Sequence, residues 1–207
     1  MLKVKPLEKV LEEHPEFKAQ WNSNPNGGMK NPRFGSVDHV VVCREDETPI
    51  FDQYSITEQP GAVIVPWDDY AGMIRVGLIT QERFIPGKIY IQAPMGFARA
   101  NETELKASYR ELLEETGLSA DELVVLGRIN PDTAFFRTDF PILGARFDKL
   151  EEIANPGGDG FIEKITKVSP YRFSDIRKLQ EKGSLECGIT SAALFLFGMY
   201  KPEFYKT

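Results

Sequence analysis

The sequence predicts an α/β fold preceded by a strand-rich N-terminal extension. Three observations predict it. Short runs of β-branched and aromatic residues between turn residues fill the first half, one helix signalled at both ends occupies the middle, and strands and helices share the remainder. A length of 207 residues suits one good-sized domain or a domain with an appendage. With 42% hydrophobic and 27% charged residues, the composition excludes a disordered or fibrous chain.

Residues 1–36 open with a short helix and then pass through NSNPNGGMKNPRFG, whose Asn, Gly and Pro residues break any periodicity and read as a loop or arm. Strands follow at VDHVVVC, PIFDQYSI, AVIVPW, MIRVGLIT and KIYIQAP, separated by turn signals at Asp46, Gly61, Asp68 to Asp69 and Pro86 to Gly87. The boundary falls near Thr57 to Gly61. It divides an arm and strand-rich extension, residues 1–58, from a main domain, residues 59–207. Further strands are expected at VVLGRI, FPILGARF and FIEKITKV. A helix is expected over Phe173 to Lys182, capped by Ser174 and ended by Gly183. ITSAALFLFGMY is apolar all round and predicts a buried helix packed on a sheet.

A net charge of −6 repels nucleic-acid backbones, so a phosphorylated ligand calls for divalent cations or local arginines. Only Cys43 and Cys187 occur, without metal-ligand spacing, which points to a reducing, cytoplasmic setting with no disulfide framework or zinc site. No signal core or membrane-spanning run is visible.

The most informative segment is GFARANETELKASYRELLEETGL, residues 96–118, which reads G-x5-E-x7-R-E-U-x-E-E-x-G-U with U a bulky aliphatic. A chance match is on the order of 10⁻⁹ per window, so accident is excluded. Asn101 is placed to cap a helix with Glu104 three positions on, and Gly117 to end it in a left-handed turn with Leu118 folding back onto Leu113. Leu105, Tyr109, Leu112 and Leu113 share one side, and Glu111, Glu114 and Glu115 another. Three like charges on one patch repel, and a hard divalent cation reverses that sign. Mg²⁺ is expected, with Mn²⁺ as a substitute, because clustered glutamates without histidine offer hard oxygen ligands. Such an ion lowers the pKa of water and offsets diphosphate charge, which makes hydrolysis of a phosphoanhydride feasible.

This segment carries the complete box of the Nudix hydrolases, and the chain resembles that family from about Val37 to Met199. The resemblance implies an α/β/α sandwich around a mixed β-sheet. It makes Glu111, Glu114 and Glu115 metal ligands, joined by a backbone carbonyl of Met95 or Gly96. Glu102 and Arg110 become structural partners that orient the glutamates.

The approach to the box, ITEQPGAVIVPWDD and GLITQERFIPGKIYIQAPMGF, is similar to that of ADP-ribose and nucleotide-sugar pyrophosphatases. That likeness implies that Gln81 and Arg83 lie beside the substrate diphosphate and that Pro131 marks the substrate site. An arginine suits this role because its charge is permanent and its donors are paired. The likeness also implies a late-loop acid that completes catalysis as a base or an extra ligand, with Glu163 the candidate and Asp159 its rival; the loop carries fewer acids than the family pattern. Related enzymes dimerise through an N-terminal strand-rich segment and stack aromatics on the base, so a homodimer is expected, with Trp21, Phe34 and Tyr54 as stacking candidates.

The expected activity is therefore Mg²⁺-dependent hydrolysis of a nucleoside diphosphate linked to a second group, ADP-ribose or a nucleotide sugar. The expected partner is a small molecule, with neither nucleic acid nor membrane involved. One alternative keeps the chemistry on dinucleoside polyphosphates, coenzymes or nucleoside triphosphates. Another is a ligand sensor without turnover, against which the intact glutamates and the lack of a basic recognition helix argue.

Overall fold

The structure, a computed structural model, describes residues 3–18, 29–31, 34–157 and 164–207. The chain forms two compact units, Met1–Gln59 with Asp132–Asp139, and Pro60–Pro131 with Phe140–Thr207.

In the first unit, β1 (Lys3–Pro6) leads directly into α1 (Leu7–Glu13), followed by β2 (Met29–Asn31), β3 (Gly35–Cys43) and β4 (Pro49–Glu58). β1 and β2 pair antiparallel with successive parts of one edge of β3, and β4 pairs along the other. Leu7 and Val10 of α1 bury against Val41 and Cys43. Lys5 bridges Glu13 and Glu47, each at 2.7 Å. The segment 132–139 clips onto β4: Ile56 N–H donates to the Phe135 carbonyl at 2.7 Å and Arg137 N–H to that of Ile56 at 2.8 Å. Thr138 Oγ1 closes the clip on both main-chain groups of Glu58. Nothing local in the sequence announces this return, because its partners are some eighty positions away.

The second unit comprises β5 (Gly61–Tyr70), β6 (Met73–Arg83), β7 (Lys88–Gln92), β8 (Met95–Phe97), α2 (Glu104–Thr116), β9 (Leu123–Ile129), β10 (Phe140–Phe147), β11 (Ile153–Ala154), β12 (Lys164–Tyr171), α3 (Phe173–Glu181) and α4 (Gly188–Tyr200). Its mixed sheet has the order β11-β12-β6-β5-β10-β9, with β5 and β10 parallel and the other pairs antiparallel. β5 and β6 pair from Trp67–Val76 to the hairpin end. β7 pairs with β6 and β8 with β5, so the two short strands fill the gap where the long ones diverge.

The strand period of two divides β5 between two helical layers. Ile64 faces α2, where it packs with Leu112 and Ala145. Val63, Val65 and Trp67 face the opposite layer, with Leu194 and Phe197 of α4 and Ile176 of α3. The result is the expected α/β/α sandwich.

Several local expectations are corrected. α3 is capped by Asp175, whose carboxylate accepts from the Arg172 main-chain N–H at 3.2 Å, and not by Ser174. Phe195, Met199 and Tyr200 of α4 are exposed, so this apolar helix buries only one side. No helix among the described residues is long and apolar enough to cross a membrane.

Candidate functional site

α2 begins two residues later than the sequence suggests. Asn101 adopts a left-handed conformation with φ 66°, and Thr103, extended, accepts from Lys106 N–H at 3.3 Å as the N-cap. Glu104 instead pairs with Arg128 at 3.0 Å. The C-terminal end follows expectation: Gly117 has φ 71° and its N–H reaches the Leu113 carbonyl. Leu118, however, packs with the Leu112 cluster, while Leu105 and Leu113 are 49% and 52% exposed. The buried face is Ala107, Ser108, Glu111, Leu112, Glu115 and Thr116, so two of the three box glutamates point into the protein.

Those carboxylates are held by specific partners (Glu111 and Glu115 on the buried face, Glu114 beside it). Glu115, fully buried, accepts from Met95 N–H at 2.9 Å. Glu111 lies against Gly96 so closely that a Cβ on that residue would overlap its carboxylate. Arg110 Nη1 donates to Glu111 at 2.6 Å and to Glu114 at 3.0 Å, and Arg99 Nη2 donates to Glu114 at 2.9 Å.

Arg110 is saturated: Nε and Nη2 donate to Glu102 at 3.1 and 2.8 Å, and Nη2 also reaches the Phe97 carbonyl at 2.9 Å. These hydrogen bonds hold the Glu102 carboxyl down to about 2, and the same contact raises the Arg110 guanidinium above its ordinary value. The Arg99 main-chain N–H adds a bond to Glu102 at 2.9 Å, folding residues 99–102 over the start of the helix. Arg99 is a member of this cluster that the box pattern does not specify.

The β5–β8 ladder orients the Met95 and Gly96 carbonyls differently. Ala98 N–H donates to Pro60 and Ile64 N–H to the Pro94 carbonyl, so in the intervening Ala62–Gly96 pair it is Gly96 whose main chain faces β5. Met95 faces away from β5, its N–H on Glu115, and its carbonyl is directed to the same side. The link between β7 and β8 is pinned by Ala93 N–H on Thr190 Oγ1 at 3.0 Å and by the Pro94 carbonyl on Ile64.

Among the described residues no three Asp, Glu, His or Cys side chains are gathered closely enough to hold a metal by themselves. The donor chemistry nevertheless fits a hard cation. Glu111 and Glu115, one turn apart, present carboxylates beside β8, whose Met95 carbonyl the ladder leaves over, and Gly96 keeps that approach clear. Glu114 is more exposed and shared between two arginines.

On β6, Gln81 is fully buried, and Arg83 is half-buried. Pro131, half-buried, is the last residue of this unit before the 132–139 segment. In the other unit Phe34 and Tyr54 are exposed, and Tyr54 stacks on His39 at 4.9 Å. Glu163, Asp159 and Trp21 lie outside the described residues.

The model of the NUDIX domain family matches residues 57–181, more than half of the chain, including α2 and strands β5 to β8. The chain belongs to the Nudix family. As a Nudix protein it is a hydrolase acting on pyrophosphate bonds, and members of the family generally use divalent metal ions. The crystal structure of an ADP compounds hydrolase is similar in fold, with a TM-score of 0.60 at 17% identity over 84% of this chain and 91% of that one. No protein of curated function matches the chain in sequence.

Proposed function

We propose that this Nudix hydrolase cleaves the pyrophosphate bond of a nucleoside diphosphate linked to a second moiety, ADP-ribose or a nucleotide sugar, releasing a nucleoside monophosphate and a phosphorylated remainder. The observation that carries the reading is the seating of Glu111 and Glu115 against β8, with Met95 hydrogen-bonded to Glu115 and Gly96 admitting Glu111. The likeness in fold to an ADP compounds hydrolase supports the choice of substrate class.

Glu111, Glu115 and the Met95 carbonyl would hold Mg²⁺, or Mn²⁺ in its place, with Glu114 completing the acidic patch. Bound there, the ion supplies a low-pKa water and offsets charge on the diphosphate. Arg110, fixed by Glu102, orients Glu111 and Glu114. Arg83 binds a phosphate oxygen through its guanidinium.

A panel of ADP-ribose, nucleotide sugars, dinucleoside polyphosphates and nucleoside triphosphates tests this, assayed with Mg²⁺, with Mn²⁺ and with chelator. Metal-dependent release of monophosphate from ADP-ribose or a sugar nucleotide is the expected result. Preferential turnover of another class would overturn the substrate, and tight binding without turnover the catalytic reading.

The protein is proposed to act as a homodimer. The outer edge of β4 from Pro49 to Ser55 has no strand partner among the described residues and carries the exposed side chains of Ile50, Phe51 and Tyr54. Sedimentation at micromolar concentration reads this directly, and a monomer would refute it.

A further inference from the structure

Arginines of the second unit differ in how they are held. Arg110 is saturated by Glu102, Glu111 and Glu114, Arg75 is paired with Asp68, Arg99 with Glu114 and Arg128 with Glu104. Arg83 has no carboxylate at ion-pair distance among the described residues. Its Nε donates to Gln92 Oε1 at 3.3 Å, and Gln92 Nε2 in turn donates to Gln81 Oε1 at 2.8 Å.

All three side chains occupy one face of the β6–β7 ribbon, since Gln92 lies opposite Ile79 and Gln81 and Arg83 follow at two-residue spacing. It is the α2 face of the sheet, because Leu78 and Val76, the alternate residues of β6, belong to the core shared with α4. Gln81 and Gln92 are 0% and 2% exposed. Burying amides is unfavourable compared with an apolar pair, and Gln81 Nε2 has no acceptor among the described residues. Packing alone gives no reason for amides here. The chain of amides gives one: it anchors Nε from the protein interior and, among the described residues, leaves Nη1, Nη2 and the full positive charge of Arg83 uncommitted.

We propose that Gln92, backed by Gln81, is a positioning residue that directs the Arg83 guanidinium toward the substrate diphosphate without neutralising it. This rests on the reading of Arg83 as a phosphate-binding residue. Neutral amides suit the task because a carboxylate partner consumes part of the charge that an anion needs, as it does for Arg110.

The test is calorimetric titration of the full-length protein with ADP in the presence of Mg²⁺, using wild type, Gln92→Met, Gln92→Glu, Gln81→Met and Arg83→Ala, with thermal melts as the folding control. Arg83→Ala and Gln92→Met are each expected to weaken ADP binding by about tenfold, the scale of one charge-assisted hydrogen bond. Gln92→Glu keeps an acceptor for Nε, and so the orientation, but its carboxylate consumes part of the guanidinium charge, so affinity is expected to fall about threefold below wild type, a smaller loss than in Gln92→Met. Gln92→Met is expected to add nothing in the Arg83→Ala background. Gln81→Met removes only the second link and gives a smaller loss in the same direction, which keeps the test open should Gln92→Met fold poorly.

Wild type without ADP affinity, or Arg83→Ala binding like wild type, would overturn the phosphate-binding reading of Arg83 itself. A loss in Arg83→Ala without one in Gln92→Met or Gln81→Met would overturn the positioning role alone. The same would follow if Gln92→Met weakened binding equally in both backgrounds, because its effect would then bypass Arg83.

Discussion

The main-chain N–H of Met95 donates to the buried carboxylate of Glu115 across 2.9 Å, tying the last turn of α2 to the strand that carries the first glycine of the box. One oxygen of Glu115 therefore has a structural task while the carboxylate as a whole carries the charge that the proposed cation would require. The two tasks separate under substitution.

Glu115→Gln retains an oxygen for Met95 N–H and removes the charge. We expect the melting temperature to stay close to wild type while kcat falls by about 100-fold or more and the apparent metal affinity drops. Near-normal turnover across a Mg²⁺ titration would remove Glu115 from the metal site.

Gly96→Ala tests the close approach of β8 to the helix. The added methyl collides with the Glu111 carboxylate, so either the strand or the side chain must move, at a cost of about 1–3 kcal/mol. Activity is expected to fall even where the variant remains folded, because the displaced group is a proposed ligand. An active variant of unchanged denaturation midpoint would show that the contact is slack.

Glu102 predicts an acid dependence of stability. Its folded-state pKa, about 2, lies below the ordinary 4.5 because Arg110 favours the charged form. A depressed carboxylate stabilises the native state fully above 4.5, and that contribution fades as pH falls from 4.5 toward 2. Urea midpoints at pH 7 and pH 3 should therefore differ less in Glu102→Gln than in wild type. Equal differences would mean that the Arg110 contact does not favour the folded state.

Arg75 supports a different carboxylate. Asp68 is fully buried, accepts from Leu150 N–H at 2.6 Å, and is paired through both oxygens with Arg75, which also lies 4.7 Å from the Tyr70 ring. Arg75→Met leaves that charge without its cation and is expected to cost about 3–5 kcal/mol. These residues occupy the end of β5 away from β8, so kcat below the lowered melting temperature should be unchanged; a lost kcat in folded protein would contradict the separation.

The box was legible because its spacing is dictated by one helix and its two ends, where local chemistry decides. Gly117 behaves as its sequence position implies. Asn101 does not, because the turn over residues 99–102 places it in a left-handed conformation and leaves capping to Thr103. The helix face departs from the hydrophobic periodicity for a physical reason: besides Leu112, α2 is oriented by Met95, Gly96 and Arg110 acting on glutamates, which leaves Leu105 and Leu113 outside. Gln92 and Arg99 carry no signal in the sequence, since each draws its meaning from residues on other strands or turns. The return of 132–139 to β4 is likewise invisible to any local pattern.

The two-residue link between β7 and β8 acts as a ruler. Gln92 governs Arg83 at one end, and Met95 offers its carbonyl beside Glu115 at the other, with only Ala93 and Pro94 between them. Because Ala93 is fastened to α4 and Pro94 to β5, the ruler cannot stretch or slide. The spacing between the amide that holds Arg83 and the main-chain group that meets Glu115 is thus written in covalent bonds, not in a flexible loop.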